Sequence, residues 1–333
     1  MAKPNVLVTH PAGRLATYFG DLALHRLRQV ATVHLNPDPH DWSGAELIAA
    51  ARQCTVLIAY RQTPLDALFF ESVPQLLAAV RCAVDIRSID VAAASQHGVL
   101  VTQASPGFGP SVSEWVLGMM LNLSRHITPS AMAYRQGLAA EPRMGAELRG
   151  ACLGIVGYGE IGRHVARLAL AFGMRVCVHD PFVRPQELGI ASLSLADLMR
   201  CSDHVVCLAP ALPETENLVN GSVLSLMKKT AFFINASRGQ LVDEQALLHA
   251  LDHGLLAGAA LDVGRAQDQM PSPALAQHPR VLATPHVGGL TPQAIAHQAL
   301  ETVDQTTAIL QGRVPKGAVN AASAWRLLKR RTP

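Results

Sequence analysis

The sequence has few aromatic residues, few charged residues and no long apolar run. Phe, Trp and Tyr make up 5% of the 333 residues, and Asp, Glu, Lys and Arg make up 16%. The apolar share of 49% suits a well-buried α/β protein with two domains of ordinary size. No apolar run approaches the roughly 18 residues of a membrane span, and the N-terminal segment lacks the apolar core of a signal peptide. We therefore expect a soluble, cytoplasmic protein without a membrane partner.

The chain also lacks a large excess of charge of either sign. Its net charge of +3 is too small to indicate a nucleic-acid partner. The one basic cluster lies near the C-terminus, and we interpret it as a solvated tail. It consists of Arg326, Lys329, Arg330 and Arg331.

Closely spaced cysteine pairs are missing as well. The six cysteines show no CxxC spacing and fall mostly in apolar, strand-like runs, so we interpret them as small buried residues in a reducing compartment. We expect no metal site. The residues are Cys54, Cys82, Cys152, Cys177, Cys201 and Cys207.

One stretch, residues 152–180, has the pattern of a dinucleotide-binding unit. An apolar run ends at Gly157, a helical pattern follows, and a second β-type run leads to Asp180. Gly157 would make the tight turn after the first strand. Gly159 would let a pyrophosphate approach the backbone, and Gly162 would let the helix pack closely on the sheet. The sequence therefore predicts a strand, a phosphate turn, a helix and a second strand.

The helix and the acid complete this prediction. The helix start would offer the amide groups of Glu160 and Ile161 and a positive partial charge to the phosphates. Asp180 lies 23 residues after Gly157, close to the roughly 20 expected for an acid that accepts the ribose hydroxyls. Because a carboxylate there repels a 2′-phosphate, we predict NAD as the cofactor, a preference that Arg184 could weaken.

Short β-type runs alternate with helical stretches on both sides of the fingerprint, which predicts an α/β fold with doubly wound parallel sheets. Gly/Pro-rich breaks at residues 104–111 and 286–292 flank one intact βαβ series. We therefore predict a Rossmann NAD-binding domain, residues 104–286, inserted into a flavodoxin-like substrate domain. The substrate domain would consist of residues 1–103 and 287–333.

The chain resembles the D-isomer-specific 2-hydroxyacid dehydrogenase family, which includes glyoxylate/hydroxypyruvate reductases and phosphoglycerate dehydrogenases. The resemblance extends over nearly the full length and implies an NAD(H)-dependent oxidoreductase that interconverts a small 2-oxo acid and a D-2-hydroxy acid. It also implies a homodimer through residues 111–126 and the loop after them. Four motifs carry it in the family's order: LRGACLGIVGYGEIG, INASRGQLVDEQAL at 234–247, AGAALDV at 257–263 and ATPHVGG at 283–289.

The resemblance also implies roles for single residues. It makes Arg238 the group that binds and polarises the substrate, and a guanidinium can hold a carboxylate or carbonyl through two parallel N–H bonds. It makes His286 the acid and base, since histidine exchanges its proton near neutral pH. It places Asp262 near the nicotinamide carboxamide, although a buried strand-end aspartate held by backbone donors is an alternative. Pro210 would belong to the loop that lines the cofactor's adenosine side.

Gln267 departs from the family pattern. The family has a glutamate there that pairs with the histidine, whereas a glutamine can orient an imidazole but cannot raise its pKa by charge. Either Gln267 is a neutral partner of His286, or Asp268 replaces the glutamate after a slip of one residue. The two alternatives predict different pH–rate profiles.

The same departure leaves two other functions open. The formate dehydrogenase branch of the superfamily also has glutamine at this position, which makes a formate-dehydrogenase-like enzyme using Gln267 one alternative. Some relatives act as transcriptional corepressors, so a non-catalytic, NAD(H)-responsive binding protein is the other.

A second departure lies in the first domain. Asp85, next to Val84, stands where the family's substrate-carboxylate loop usually has glycine. It would repel a carboxylate unless it points away or pairs with Arg87. Tyr60 and Arg61 belong to a stretch that resembles the family's other substrate loop. We predict that these loops help to determine which class of substrate binds. The alternatives are that their residues only pack the loop or only carry surface charge.

Overall fold

The computed structural model describes residues 3–329, so Arg330 and Arg331 of the basic cluster lie outside the described residues. The described chain divides into two compact units. Unit 1 holds the residues up to Gly107 together with those from Pro292 onward, and unit 2 holds Phe108–Thr291. These boundaries lie four and five residues beyond the predicted ones, after 103 and 286.

The strands within residues 3–329 are short and carry mostly buried residues. They are β1 (Asn5–Val8), β2 (Thr32–Leu35), β3 (Val56–Ala59), β4 (Ala78–Arg81), β5 (Leu100–Gln103), β6 (Cys152–Val156), β7 (Arg175–His179), β8 (Ile190–Ser192), β9 (His204–Cys207), β10 (Phe232–Asn235), β11 (Gly258–Leu261) and β12 (Val281–Ala283).

Helices connect these strands along the described chain. They are α1 (Ala12–Tyr18), α2 (Asp21–Val30), α3 (Gly44–Ala51), α4 (Ala67–Ser72), α5 (Val91–Gln96), α6 (Gly109–Arg125), α7 (Ile127–Arg135), α8 (Glu160–Ala171), α9 (Leu195–Cys201), α10 (Gly221–Leu224), α11 (Glu244–Asp252), α12 (Pro273–Ala276), α13 (Pro292–Leu310) and α14 (Trp325–Lys329).

Each unit contains one parallel sheet. The order in unit 1 is β2-β1-β3-β4-β5, the flavodoxin-like order. The order in unit 2 is β12-β11-β10-β9-β6-β7-β8, which is the Rossmann order with one further strand. Hydrophobic clusters cover both faces of each sheet, which explains why the strands read as apolar runs rather than alternating ones. The predicted fold class is confirmed.

Residues 14–29 and 65–79 have helical spacing or composition in the sequence, which predicts one helix in each, and the observed bounds differ. The stretch 14–29 is two helices, because Gly20 adopts a φ of +82° between α1 and α2. The stretch 65–79 is helical only through Ser72, since Pro74 cannot continue a helix and β4 follows. Helix α6 starts at Gly109, ahead of both serines that the sequence makes candidate caps, Ser111 and Ser113, and the Ser111 hydroxyl bonds to the Thr291 hydroxyl.

No helix in residues 3–329 has the length and hydropathy that crossing a bilayer requires.

Candidate active site

A row of register-matched residues marks the carboxyl edge of the unit 2 sheet. Six neighbouring strands each end at one residue of this row. Along the chain, each predicted site residue comes one to three positions after the row residue of its own strand; these are Asp180, Gly157, Arg238, Asp262 and His286. The strand order reverses between β6 and β9, so the edge includes the switch point where open α/β sheets bind ligands. The row consists of His179, Val156, Cys207, Asn235, Leu261 and Ala283.

The glycines of the fingerprint fit a phosphate turn. Gly157 has a φ of +96°, and a Cβ on it would lie 2.6 Å from the amide nitrogen of Ala209, so no other residue fits there. A Cβ on Gly162 would lie 2.5 Å from the carbonyl oxygen of Gly157. At Gly159, by contrast, the described residues place no heavy atom within 4 Å of a Cβ. The turn is therefore packed against the sheet and open on its outer side, as a bound pyrophosphate requires.

Helix α8 points its N-terminus at this open space. Gly159 is its N-cap, and Glu160 and Ile161 are its first two residues. Amide groups in the first turn of a helix have no acceptor within the helix and sit at the positive end of its dipole. The predicted phosphate contacts are thus available from this turn.

Asp180 is held at the end of β7 by three backbone donors. Its Oδ2 accepts from the Tyr158 N–H at 2.7 Å, and its Oδ1 accepts from the Phe182 and Val183 N–H groups at 2.9 Å each. Partial burial acts to raise the pKa of this carboxyl, but the three N–H groups outweigh it and the pKa lies below its usual value. Asp180 is therefore a fixed, ionised acceptor at neutral pH.

Asn235 shapes the turn that carries Arg238. This buried amide donates from Nδ2 to the Arg238 carbonyl at 3.0 Å and accepts the Ser237 N–H at 3.1 Å. The Ser237 hydroxyl donates to the Ala209 carbonyl, one residue before the exposed Pro210. Arg238 itself donates from Nη1 to the Ser237 carbonyl at 2.7 Å. Sequence reasoning missed Asn235 as a site residue, although a polar side chain at the end of an apolar strand could have indicated it.

Asp262 holds the loop that contains His286. Its Oδ1 accepts from the Thr284 hydroxyl at 2.6 Å and from the Val287 N–H at 2.8 Å, and its Oδ2 accepts from the Gly288 N–H at 2.7 Å. The side chain is 3% exposed. This geometry is that of a buried strand-end aspartate held by backbone donors. A contact between Asp262 and the nicotinamide carboxamide stays a prediction.

His286 lies between Thr284 and Val287, which both donate to Asp262. Its backbone is left-handed, with a φ of +55°. Its Nδ1 is 3.3 Å from the main-chain oxygen of Asp268, which is also left-handed at a φ of +56°. Gln267 is exposed in the same short turn. The structure thus gives His286 a main-chain acceptor, and the two side-chain alternatives drawn from the sequence stay predictions. A carbonyl that accepts from Nδ1–H fixes the ring and puts the exchangeable proton on Nε2.

Tyr60 is a packed residue of unit 1. It is 4% exposed, its ring contacts those of His10 and Tyr18, and its N–H donates to the Thr9 hydroxyl at 2.9 Å. Burial raises the pKa of its phenol to about 12. The Arg61 guanidinium lies over the Tyr18 ring at 5.5 Å. This packing favours the interpretation of Tyr60 as a residue that shapes its loop.

Asp85 pairs with Arg87 in the loop after β4. The Arg87 guanidinium donates from Nη2 to Oδ2 at 2.6 Å and from Nε to Oδ1 at 3.0 Å. The bonds from Asp85 raise the pKa of Arg87. Val84 beside it is half-buried. The pairing offsets the charge that would otherwise repel a carboxylate.

A buried arginine that sequence reasoning missed connects these two loops of unit 1. Arg81 ends β4 with no exposed surface and donates to the carbonyls of Tyr60 and Thr63 and to the Ser88 hydroxyl. Burial lowers the pKa of its guanidinium to about 10, so the group stays charged at neutral pH. The sequence feature that could have indicated this residue is an arginine inside the apolar run AAVRCAV.

Comparisons with known proteins find relatives whose matched regions include the site residues of unit 2 described above. Residues 117–288 match the family described as "D-isomer specific 2-hydroxyacid dehydrogenase, NAD binding domain". The chain is 32% identical over 308 residues to the glyoxylate reductase of Thermococcus kodakarensis, a match that covers 89% of this chain and 92% of that protein. The TT0316 protein from Thermus thermophilus shares its structure with a TM-score of 0.85 and 32% identity, covering 95% of this chain and 99% of that one.

The D-3-phosphoglycerate dehydrogenase of Synechocystis sp. is 33% identical over 298 residues. That match covers 88% of this chain and 53% of the relative, so the chain spans about half the length of the phosphoglycerate dehydrogenases it matches. The matched family domain includes the phosphate turn, Asp180, Arg238, Asp262 and His286. The chain therefore belongs to the D-isomer specific 2-hydroxyacid dehydrogenase family, and its cofactor is NAD.

Proposed function

We propose that the chain is an NAD(H)-dependent oxidoreductase that interconverts a small 2-oxo acid and a D-2-hydroxy acid. The observation that carries this proposal is the placement of Arg238 and His286. Each follows the register-matched end of its strand by three residues, and Asp262 comes directly after the strand between them. Neighbouring strands lie about 4.8 Å apart, so the two loops start about 10 Å from each other. One small ligand can therefore meet a guanidinium on one side and an imidazole on the other.

In this proposal, each residue has a separate role in the reaction. Bound NADH supplies the hydride that reduces the substrate carbonyl. Arg238 holds the carboxylate and the carbonyl oxygen, which orients the substrate and makes its carbonyl carbon more electrophilic. His286 gives a proton from Nε2 to the developing alkoxide and takes it back during oxidation. The Asp268 carbonyl, accepting from Nδ1–H, keeps the ring in place in both protonation states.

A substrate panel tests this function. The purified chain is mixed with NADH and glyoxylate, hydroxypyruvate or bulkier 2-oxo acids, and with NAD⁺ and the D and L forms of the corresponding hydroxy acids. We expect NADH oxidation with at least one oxo acid and NAD⁺ reduction by the D form alone. Silence despite measured NADH binding would favour the NAD(H)-responsive binding protein. Reduction of NAD⁺ by formate would favour the formate-dehydrogenase-like enzyme.

We propose that Asp180 makes the chain prefer NADH over NADPH. Its fixed, ionised carboxylate suits two ribose hydroxyls and repels a 2′-phosphate. In Asp180→Asn, we expect the ratio of kcat/KM for NADH to that for NADPH to fall by about tenfold or more, because a charged hydrogen bond is lost. Asp197→Asn, an exposed aspartate in unit 2 that pairs with Arg200, is the matched control. A wild-type preference for NADPH would contradict the proposal.

We propose that the main-chain carbonyl of Asp268 orients His286. Asp268→Asn keeps that carbonyl, and asparagine accepts a left-handed backbone well. We therefore expect this variant to keep the position of the ring and most of its kcat. Gln267→Ala should behave in the same way. A loss beyond about tenfold together with a shifted profile would instead identify that side chain as the partner of the imidazole.

We also propose a homodimer, with the contact on α7 and the segment after it. The apolar residues Val116 and Met120 of α6 are fully buried in the core of unit 2, so this helix has less apolar surface to offer than its sequence indicated. In α7, Met132 and Tyr134 are 51% and 69% exposed, and Met144 is 97% exposed. We expect light scattering to give the mass of a dimer, and Tyr134→Glu to give the mass of a monomer.

A further inference from the structure

Three cysteine thiols meet inside unit 2, away from the candidate active site. Cys152 begins β6, Cys177 lies within β7, and Cys201 ends α9. The sulfurs of Cys152 and Cys177 are 3.9 Å apart, those of Cys177 and Cys201 are 3.8 Å apart, and all three lie within 4.8 Å of one another. Sequence spacing hid this group, because 25 and 24 residues separate its members. That distance is one βα repeat of the fold.

The local sequence explains why helix α9 comes so close to the sheet. Gly154 faces the end of α9, and a Cβ there would lie 2.4 Å from the hydroxyl oxygen of Ser202. Without that Cβ, Ser202 and Cys201 approach β7. The Ser202 hydroxyl donates to the Leu198 carbonyl at 2.7 Å and lies 3.6 Å from the Cys177 sulfur. The three sulfurs thus have one hydroxyl oxygen beside them, whose lone pairs can accept a further contact.

The sulfur separations match a metal site better than a disulfide. A cation about 2.3 Å from each thiolate sets its sulfurs about 4.0 Å apart in a trigonal site and about 3.8 Å apart in a tetrahedral one. Two of the three sulfur separations, 3.8 and 3.9 Å, lie in this range, and the third pair is within 4.8 Å, so a cation would need only small shifts. A disulfide requires a sulfur separation of about 2.05 Å and would have to move the sulfurs by nearly 2 Å.

The surroundings favour a soft cation. Thiolates select Cu(I) and Zn(II) over hard cations. Cys152 and Cys177 are 6% and 3% exposed, which keeps water from competing, whereas Cys201 is partly exposed and provides a route of entry. Arg175, the register partner of Cys152 on β7, adds a positive charge beside the thiolates.

We propose that Cys152, Cys177 and Cys201 form a binding site for one thiophilic d¹⁰ cation, of the Cu(I) or Zn(II) class. The site ties together β6, β7 and α9. It lies near the amino-terminal end of β6, where Cys152 is five residues, or about 16 Å, from Gly157. A bound cation therefore crosslinks the NAD-binding unit without touching the phosphate turn.

Metal titration of the full chain tests the site. The protein is reduced with a phosphine, stripped of metal by a chelator, and titrated with Cd²⁺ alone or, without oxygen, with Cu⁺ alone. We expect a thiolate-to-metal charge-transfer absorbance that saturates at one ion per chain and a higher melting temperature. Three-coordinate Cu⁺ binding and Cd²⁺ binding both support the site, and X-ray absorption tells a three-sulfur shell from one completed by oxygen.

Serine variants locate the binding. Cys177→Ser and Cys201→Ser should each weaken affinity by at least about tenfold. Cys201 is the partly exposed ligand, so its variant keeps the test valid if Cys177→Ser does not fold, as circular dichroism will show. Cys54→Ser and Cys207→Ser, which change buried cysteines outside the group, should bind like the wild type. No saturation at one equivalent, or an equal loss in the control variants, would overturn the proposal.

Discussion

We expect His286→Asn to lower kcat for 2-oxo acid reduction by about 10²–10⁴-fold, the range in which a positioned acid or base contributes. The variant removes the group that gives a proton to the alkoxide. It should leave the backbone intact, because asparagine tolerates the left-handed conformation of residue 286. Its amide can also donate to the Asp268 carbonyl in place of Nδ1–H. The loss should therefore report the missing proton donor and not a collapsed loop.

The matched control for this variant is His253→Asn. His253 is exposed at the end of α11 in the same unit and bonds to the His249 carbonyl. We expect the control to keep wild-type kcat and both variants to keep the wild-type dissociation constant for NADH, measured by fluorescence titration. A His286→Asn enzyme with near-normal kcat would mean that another group supplies the proton.

The fold was predictable because its strands are buried on both faces. Runs such as that of β6 contain only buried residues, and they alternate with helical stretches of βαβ length. The bounds of single helices and strands were less predictable, because they depend on local backbone conformation. The φ of +82° at Gly20 divides one apparent helix into two, and β8 has only three residues, too few for a recognisable pattern.

The positions of Gly157 and Asp180, each directly after a strand, were predictable because a residue type and its motif mark them. A contact made by the main chain was not predictable. The Asp268 carbonyl accepts from His286, every residue has such a carbonyl, and no side-chain pattern can indicate which one turns toward the ring.

Long-range packing hid the other features. The Arg81 bonds join loops that are separated by more than twenty residues, and the Cys177 thiol meets partners one βα repeat away on each side. Such groups form only when the sheet register brings them together. Their residue types, a charged residue in an apolar run and cysteines in strands, are compatible with several other arrangements.

We expect Arg238→Met to lower kcat/KM by about 10²–10³-fold, the loss that follows removal of one donor to a developing oxyanion. Arg238→Lys should recover part of this loss, roughly tenfold, because it restores the charge but not the planar fork that holds two oxygens. Asn235 fixes the turn through main-chain groups of residues 237 and 238, so both variants should keep its geometry. Initial rates over a range of oxo acid concentrations separate kcat from KM.

The division of this loss between kcat and KM decides what Arg238 does. If the guanidinium only binds the carboxylate, its removal raises KM and leaves kcat unchanged, because ground state and transition state lose the same interaction. If it also polarises the carbonyl, kcat falls as well, since the charge on that oxygen grows as hydride arrives. We expect the second result. Arg200→Met, an exposed arginine of α9 paired with Asp197, should change neither constant, and a pure KM effect in Arg238→Met would limit this residue to substrate binding.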